Sequence, residues 1–379
     1  MDTKVSVGAD ISKKDFKACF VLFNDKQEVK VKASRAFPNT LTGFGQFKEW
    51  YGKHLKEGLP VVFVMEATGS YHEHLAWFLH REGQSVNIVL PNRAKAYMIS
   101  LGMKSKNDKA DAKGLATMGA VQKLASWQPI SKHFYGLRSL TRHLEDLLII
   151  RTSLMNQQGQ RKYGMYEQKT VSKSLAAMLK AIDRQIASCR GEIHKLIEKD
   201  TELNRKVAYM TSIKGVSTIT AAVIVGETNG FALIDNLKQL VSYAGYDVKE
   251  NQSGNRVGKT RITKKGNAHI RRAMHLPAFN VVRYHVKTFE NLYKRVYGKR
   301  GIKMKAYVAV QSKLLRMVYT LWKNEKEFDP KYGTSGIQEP KPLFSVAPEG
   351  AENKTAESDD TAALDGLPCN HSPEALFSV

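Results

Sequence analysis

The chain has 379 residues and carries 59 Lys and Arg against 36 Asp and Glu, a formal charge of +23. At roughly 100–200 residues per domain this length implies two or three domains, and with 42% hydrophobic residues each can bury a core, so disorder throughout is excluded. The longest apolar runs, around Val61 to Met65 and Ala221 to Val225, fall far below the ~18 residues that cross a bilayer. No basic segment leads into an apolar one at the N-terminus, so no secretory signal is read and a cytoplasmic location is expected.

The first 125 residues read as an α/β domain. In Val5 to Ile11 the apolar residues alternate, so Val5, Val7, Ala9 and Ile11 face one side of a strand and Asp10 the other. Two further strands, Phe16 to Phe23 and Glu28 to Ala33, are joined by the turn-forming Asn24-Asp25-Lys26. A helix over Leu41 to Leu55 follows from the three- and four-residue spacing of Leu41, Phe44, Phe47, Tyr51 and Leu55. The apolar run Pro60 to Glu66 suits a buried central strand that ends on a carboxylate. After it come a helix near Tyr71 to Glu82, a strand at Ser85 to Leu90, and helices near Asn92 to Leu101 and Asp108 to Gln122. Three antiparallel strands, then two reached through helices, is the order of a ribonuclease-H-like mixed sheet.

Residues 126–211 become long, polar and helical. Leu137, Leu140, Leu144 and Leu147, then Leu175, Leu179, Ile182, Ile186, Ile193 and Ile197, recur at helical spacing, with a break near Tyr163-Gly164. A helical hairpin or dimerising coiled coil is expected there. Residues 212–330 read as a mostly α domain with glycine-marked loops, and 331–379 as a disordered acidic tail. Cys19, Cys189 and Cys369 are scattered singly, which excludes a disulfide framework and a CxxC zinc site.

The charge is uneven. Residues 1–330 hold 56 Lys and Arg against 28 Asp and Glu, a surplus of +28 that points to a polyanion. A membrane surface would also want a basic amphipathic helix with a strongly apolar face, and none is clear, so no membrane partner is expected. Nucleic acid is the partner this favours.

Four acids stand at suggestive places: Asp10 on a strand, Glu66 at the end of the next apolar strand, and Asp108 with Asp111 one helical turn apart. Read singly, each is an ordinary cap or surface acid. Converging together they would repel one another unless divalent cations neutralised them, and an oxygen-only donor set suits Mg²⁺ or Mn²⁺. Such a site serves phosphodiester chemistry. Further on, Lys249, Arg256, Lys259, Arg261, Lys264, Lys265, Arg271 and Arg272 surround Ser253 and Gly254 with a single acid, Glu250, among them. That segment could be a serine-glycine hairpin that binds phosphates without chemistry, or it could carry a nucleophile assisted by positive charge. Ile213 to Ala222 fits the turn and second helix of a helix-hairpin-helix-like element or plain core packing. His72 and His74 suit surface or packing roles, and Trp50, Trp77, Trp127 and Trp322 suit core anchors.

The chain resembles the insertion-sequence transposases that join an N-terminal RuvC-like DEDD domain to a C-terminal serine-bearing domain, the bridge-RNA-guided recombinases. The resemblance rests on Gly8-Ala-Asp10-Ile-Ser, Val64-Met-Glu66-Ala-Thr-Gly-Ser-Tyr71, Asn107-Asp108-Lys-Ala-Asp111, Ile213-Lys-Gly-Val-Ser, Gln252-Ser253-Gly254, Ile262-Thr-Lys-Lys-Gly-Asn267 and His269-Ile-Arg-Arg272, and covers about residues 4–325. The family usually shows two glycines in the third-domain turn, where this chain has Gly215 but Ser217. The resemblance implies that Asp10, Glu66, Asp108 and Asp111 are metal ligands and Ser253 the nucleophile. It implies strand exchange through a phosphoserine link, a noncoding bridge RNA pairing with donor and target DNA, and a homodimer or homotetramer whose sites are shared between subunits. Two rivals remain at this point: a metal-dependent junction nuclease in which water attacks, and a non-catalytic nucleic-acid scaffold.

Overall fold

The computed structural model describes residues 1–330 except 56, 103–106, 162, 167, 251, 254–255 and 259–260. The chain divides into two compact units at Pro129/Ile130, and the expected tail, 331–379, lies outside the described residues.

The first unit runs β1 (Asp2–Ile11), β2 (Asp15–Asn24), β3 (Val29–Pro38), α1 (Leu41–Gly52), β4 (Val61–Glu66), α2 (Glu73–Arg81), β5 (Ser85–Val89), α3 (Pro91–Ser100) and α4 (Asp108–Val121). Its strands lie in the order β3-β2-β1-β4-β5, with β1, β2 and β3 antiparallel and β1, β4 and β5 parallel. This is the ribonuclease-H-like mixed sheet that the element order predicts. Val5, Val7, Ala9 and Ile11 do share one face, packed with Phe16, Phe37, Phe44, Phe47 and Trp50 beneath α1 and α2. Ring centroids there lie 5.2 to 5.5 Å apart for Phe16 with Phe47 and with Phe37, spacings that add to plain area burial.

The opposite face differs from the simple alternation, because β1 is the middle strand and α4 covers it. Ser6 is fully buried there, and Cys19 and Val21 pack on Ala112, Ala116 and Ala120 of α4. Small residues permit this contact. A Cβ on Gly8 would lie 2.2 Å from the Ala116 backbone nitrogen and 2.3 Å from the Ala112 carbonyl oxygen, and one on Gly119 would lie 2.4 Å from Ser6 Oγ. The edge strand β3 runs five residues beyond its expected end at Ala33, because pairing with β2 continues to Asp15↔Pro38 while only Phe37 of those five residues is buried, too few for an alternating signal.

The second unit comprises α5 (Lys132–Arg161), α6 (Lys169–Glu198), α7 (Thr201–Thr211), α8 (Thr218–Thr228), α9 (Leu237–Ala244), β6 (Val248–Lys249), β7 (Gln252–Ser253), β8 (Arg256–Val257), β9 (Arg261–Ile262), α10 (Ala268–Ala273), α11 (His275–Arg283), α12 (Lys287–Arg300) and α13 (Lys303–Asn324). Helices α5 and α6 pack against each other as the expected hairpin, α5 ending at Arg161 and α6 beginning at Lys169. One continuous core runs from Leu137 through Ile193 and Val225 to Leu314 and Trp322, so the root of the hairpin shares its interior with α7 to α13 and no separate core begins at 212. The spacing of Leu137 to Ile197 shows helices but cannot show what else those helices bury.

Gly8 sets the distance between β1 and α4, so Gly8→Ala should force the two backbones apart and destabilise the fold by about 3 kcal/mol, the upper end of an overpacking penalty. Urea denaturation of the two proteins measures this, and an unchanged midpoint would contradict the packing argument.

Candidate active site

Three strand-borne side chains share the face of the sheet that α4 covers. Asp10 sits at the end of β1 on the same side as Gly8, directly opposite Lys17 of β2. The parallel register Ala9↔Met65 sets Glu66, the last residue of β4, beside Asp10, on the side of Val64. The helix brings the other two acids. Asn107 caps α4 by accepting a hydrogen bond from the Ala110 N–H, which leaves Asp108 and Asp111 in the first helical turn, where the helix dipole favours negative charge.

Asp10 feels the charges of the other three carboxylates. Burial, then the charges of Asp111, Asp108 and Glu66, push the Asp10 carboxyl up to about 6, with Lys17 opposing the shift. Lys17 Nζ donates to Asp108 Oδ2 at 2.5 Å. That hydrogen bond holds Asp108 below the usual carboxylate range and raises the Lys17 ammonium. Among the described residues no three acidic, histidine or cysteine side chains close on one point at ion-binding range. The donor set is nonetheless all oxygen and multiply negative, which fits a hard divalent cation in kind, and Lys17 supplies positive charge among the same groups. His72 is buried at the start of α2 and His74 is exposed.

Ser253 belongs to the second unit. It is exposed on β7, paired in register with Arg256 of β8, on an arm whose root is the β6 to β9 ladder. These short strands are absent from the helical reading of 212–330, since two-residue ladders leave no periodicity. Arg261, Lys264 and Lys265 stand exposed. Arg271 instead turns inward, with Nη1 donating to the carbonyls of Ala244, Gly266 and Asn267 at 2.8, 3.0 and 3.2 Å. Arg272 pairs with Glu145 of α5. Gly254, Lys259 and the side chain of Arg256 lie outside the described residues.

Two features escape the sequence reading. Lys17 could have been found from strand parity, since it shares a face with Cys19 and Val21. The other is Glu227 of α8, only 3% exposed, which accepts from Arg142 Nε and Nη2 at 2.6 and 2.8 Å and from Asn267 Nδ2 at 2.6 Å. Burial would raise its carboxyl, but Arg142 and Asn267 outweigh that and hold it low. This network ties the hairpin root to the basic segment that leads into α10. The turn at Gly215 packs rather than opens: φ is 110°, and an added Cβ would lie 2.9 Å from Asn280 Cβ. Ser217 spends its side chain capping α8.

Comparison with known proteins supplies a family context. Residues 7–161 match a DEDD transposase domain of the IS110 type, and residues 207–294 match the domain described as Transposase IS116/IS110/IS902 family. The pilin gene-inverting proteins of Moraxella lacunata and Moraxella bovis are each 29% identical over 341 residues, covering 87% of this chain and 99% of theirs. Among solved structures, Thermus thermophilus RuvC matches with 14% identity over 31% of this chain and 93% of its own, at a TM-score of 0.25. An Aquifex aeolicus PPX-GPPA enzyme matches with 13% identity over 27% of this chain and 42% of its own, at 0.21.

The raised Asp10 carboxyl has a pH consequence. Its folded value, about 6, exceeds the unfolded 3.8, so the folded state binds the proton more tightly and stability is lost as pH rises from the lower value through the higher. Asp10→Asn should therefore raise the melting temperature in chelator above about pH 6 and match wild type below about pH 4. Thermal melts across that range measure it, and an Asn variant less stable at about pH 8 would contradict the assignment.

Proposed function

We propose that this protein, which carries the two transposase domains of the IS110 type, cuts and rejoins DNA strands with Ser253 as nucleophile and Asp10, Glu66, Asp108 and Asp111 as ligands of Mg²⁺ or Mn²⁺. The observation that carries the reading is the placement of Asp10 on β1, Glu66 at the end of β4 and Asp108 with Asp111 in the first turn of α4 at one face of a ribonuclease-H-like sheet, where the charges of the other three raise the Asp10 carboxyl. When bound there, a divalent cation supplies polarisation of a phosphoryl oxygen and stabilisation of the leaving oxygen.

The chain's own residues do the rest. Ser253, exposed on a basic arm, forms the Oγ–P bond as its hydroxyl gives up a proton, while the P–O bond to the departing strand end breaks and that end takes up a proton in its place. The broken strand is stored as a phosphoserine ester, so rejoining requires no high-energy cofactor. Arg261, Lys264 and Lys265 hold phosphates beside the serine, whereas Arg271 and Arg272 fix the segment that carries them. The names of the Moraxella relatives denote inversion of a gene, a reaction that needs every cut end joined to a new partner, and this supports storage over hydrolysis. A noncoding bridge RNA as guide is what the family resemblance implies. Exposed Leu148, Ile149, Ile150, Met155 and Met178 on the hairpin support a homodimer or homotetramer.

Wild-type protein incubated with cleavable DNA and Mg²⁺ should carry DNA covalently through denaturing electrophoresis. Ser253→Ala should lose the adduct and the recombinant product yet still bind DNA. Cleavage by Ser253→Ala at the wild-type rate with free ends would establish the water-using nuclease instead. Mixing Asp10→Asn with Ser253→Ala protein should restore part of the activity, and no recovery at all would contradict sites shared between subunits. A structured RNA should copurify with the protein, and its absence from active preparations would remove the guide from the account.

A further inference from the structure

The second unit holds a groove of about 1510 Å³ that extends from the basic arm root well beyond the residues placed beside Ser253. Helix α13 forms one wall from Met304 to Asn324, a stretch on the order of 30 Å at 1.5 Å per residue. Helix α12 contributes Thr288, Leu292 and Arg295, one helical face, and the arm root contributes Arg261 and Lys264. Seven Lys and Arg side chains line it against two acids, Glu327 and Asp329. Its interior surface is apolar, with Leu292, Met304, Val308, Met317 and Phe328.

Cations crowded over apolar side chains are costly in a free protein. The Lys313 ammonium shows it: burial, then the nearby Arg295, pull it below its ordinary value, though its Nζ donates to the Thr288 carbonyl at 3.1 Å. Such crowding is relieved by a polyanion. The dimensions exclude a lone phosphate, since small-ligand sites run to roughly 300–1,000 Å³. The apolar surface argues against a duplex, whose base faces are stacked inside and whose outer surface is phosphate, sugar and polar base edges. A single strand is amphipathic in the matching sense, with phosphates for the rim and unstacked bases for the interior.

We propose that the groove between α12, α13 and the root of the serine arm is a binding site for a single nucleic-acid strand, phosphates on Arg261, Lys305 and Arg316 and bases against Val308 and Met317. This rests on the nucleic-acid reading above but adds a site and a strand state to it. Arg261 and Lys264 belong to both the arm root and the groove, so a strand held here enters or leaves the neighbourhood of Ser253 along a fixed track.

The test is fluorescence anisotropy of full-length protein with a labelled dT20, an abasic strand of equal length and a duplex, over a range of salt. Lys305 and Arg316 are exposed, so the double variant Lys305→Gln/Arg316→Gln leaves the core untouched, and its melting temperature checks this. Losing two phosphate contacts should lower the single-strand salt slope by about 1.4 and weaken dT20 on the order of tenfold, with a smaller effect on the duplex. Wild type should bind the abasic strand several-fold more weakly than dT20. A folded variant with an unchanged dT20 affinity and slope would overturn the site, and equal losses for dT20, abasic strand and duplex would overturn the single-strand assignment. Carbodiimide crosslinks from Lys305 to acids within 331–379, with unaltered dT20 binding, would give the groove to the chain's own acidic segment and also overturn it. Because dT20 binding needs no cleavage, a failure of the serine chemistry leaves this result untouched and the two readings fail separately.

Discussion

The contact of α4 with β1 at Gly8 is the constraint on which the carboxylate site depends. Strand and helix backbones meet there with no room for a methyl group, and a Cβ on Gly119, further along the same face of the helix, would lie as close to the side chains of Ser6 and Val64. The same closeness fixes where α4 begins. Its cap, Asn107, and its first-turn acids are therefore held over the ends of β1 and β4 rather than displaced along the sheet. A bulkier residue at position 8 would move two of the four carboxylates as a rigid pair.

That placement creates an electrostatic problem that the chain answers in part. Asp10, partly buried among three other acids, has a strongly raised proton affinity, and Lys17 enters the group from β2 to pair with Asp108. A divalent cation would answer it more fully, because it neutralises several carboxylates at once while a lysine neutralises one. The second unit solves a related problem differently. Glu227 is buried deeper than Asp10, yet a two-pronged Arg142 and Asn267 satisfy it, so its carboxyl is stable as an anion and serves structure. The contrast separates a buried acid held as an anion by its neighbours from one whose carboxyl is pushed up by burial and nearby acids.

Much of the first unit was legible because its signals are local. Alternation in Val5 to Ile11, the helical spacing from Leu41 and the turn at Asn24 to Lys26 lie within single elements, and the strand order follows from element order. Asp10, Glu66, Asp108 and Asp111 were legible as candidates because strand ends and a capped helix start are visible in the sequence. Lys17 was not, because its role depends on cross-strand register with Asp10. The inward turn of Arg271 was equally hidden, since composition records charge and not direction, and three backbone carbonyls claim that side chain. The ladders that raise Ser253 are two residues long, too short for any periodicity to register.

The central claim is that the four acids under α4 form a divalent-cation site, and Mn²⁺ binding followed by electron paramagnetic resonance tests it without any DNA. Wild-type protein should deplete the free Mn²⁺ signal with saturable stoichiometry, and Asp10→Asn and Asp111→Asn should each abolish the tight component while the protein stays folded and melts cooperatively. Mn²⁺ binding that is equally tight in both variants would place the cation elsewhere and contradict the account.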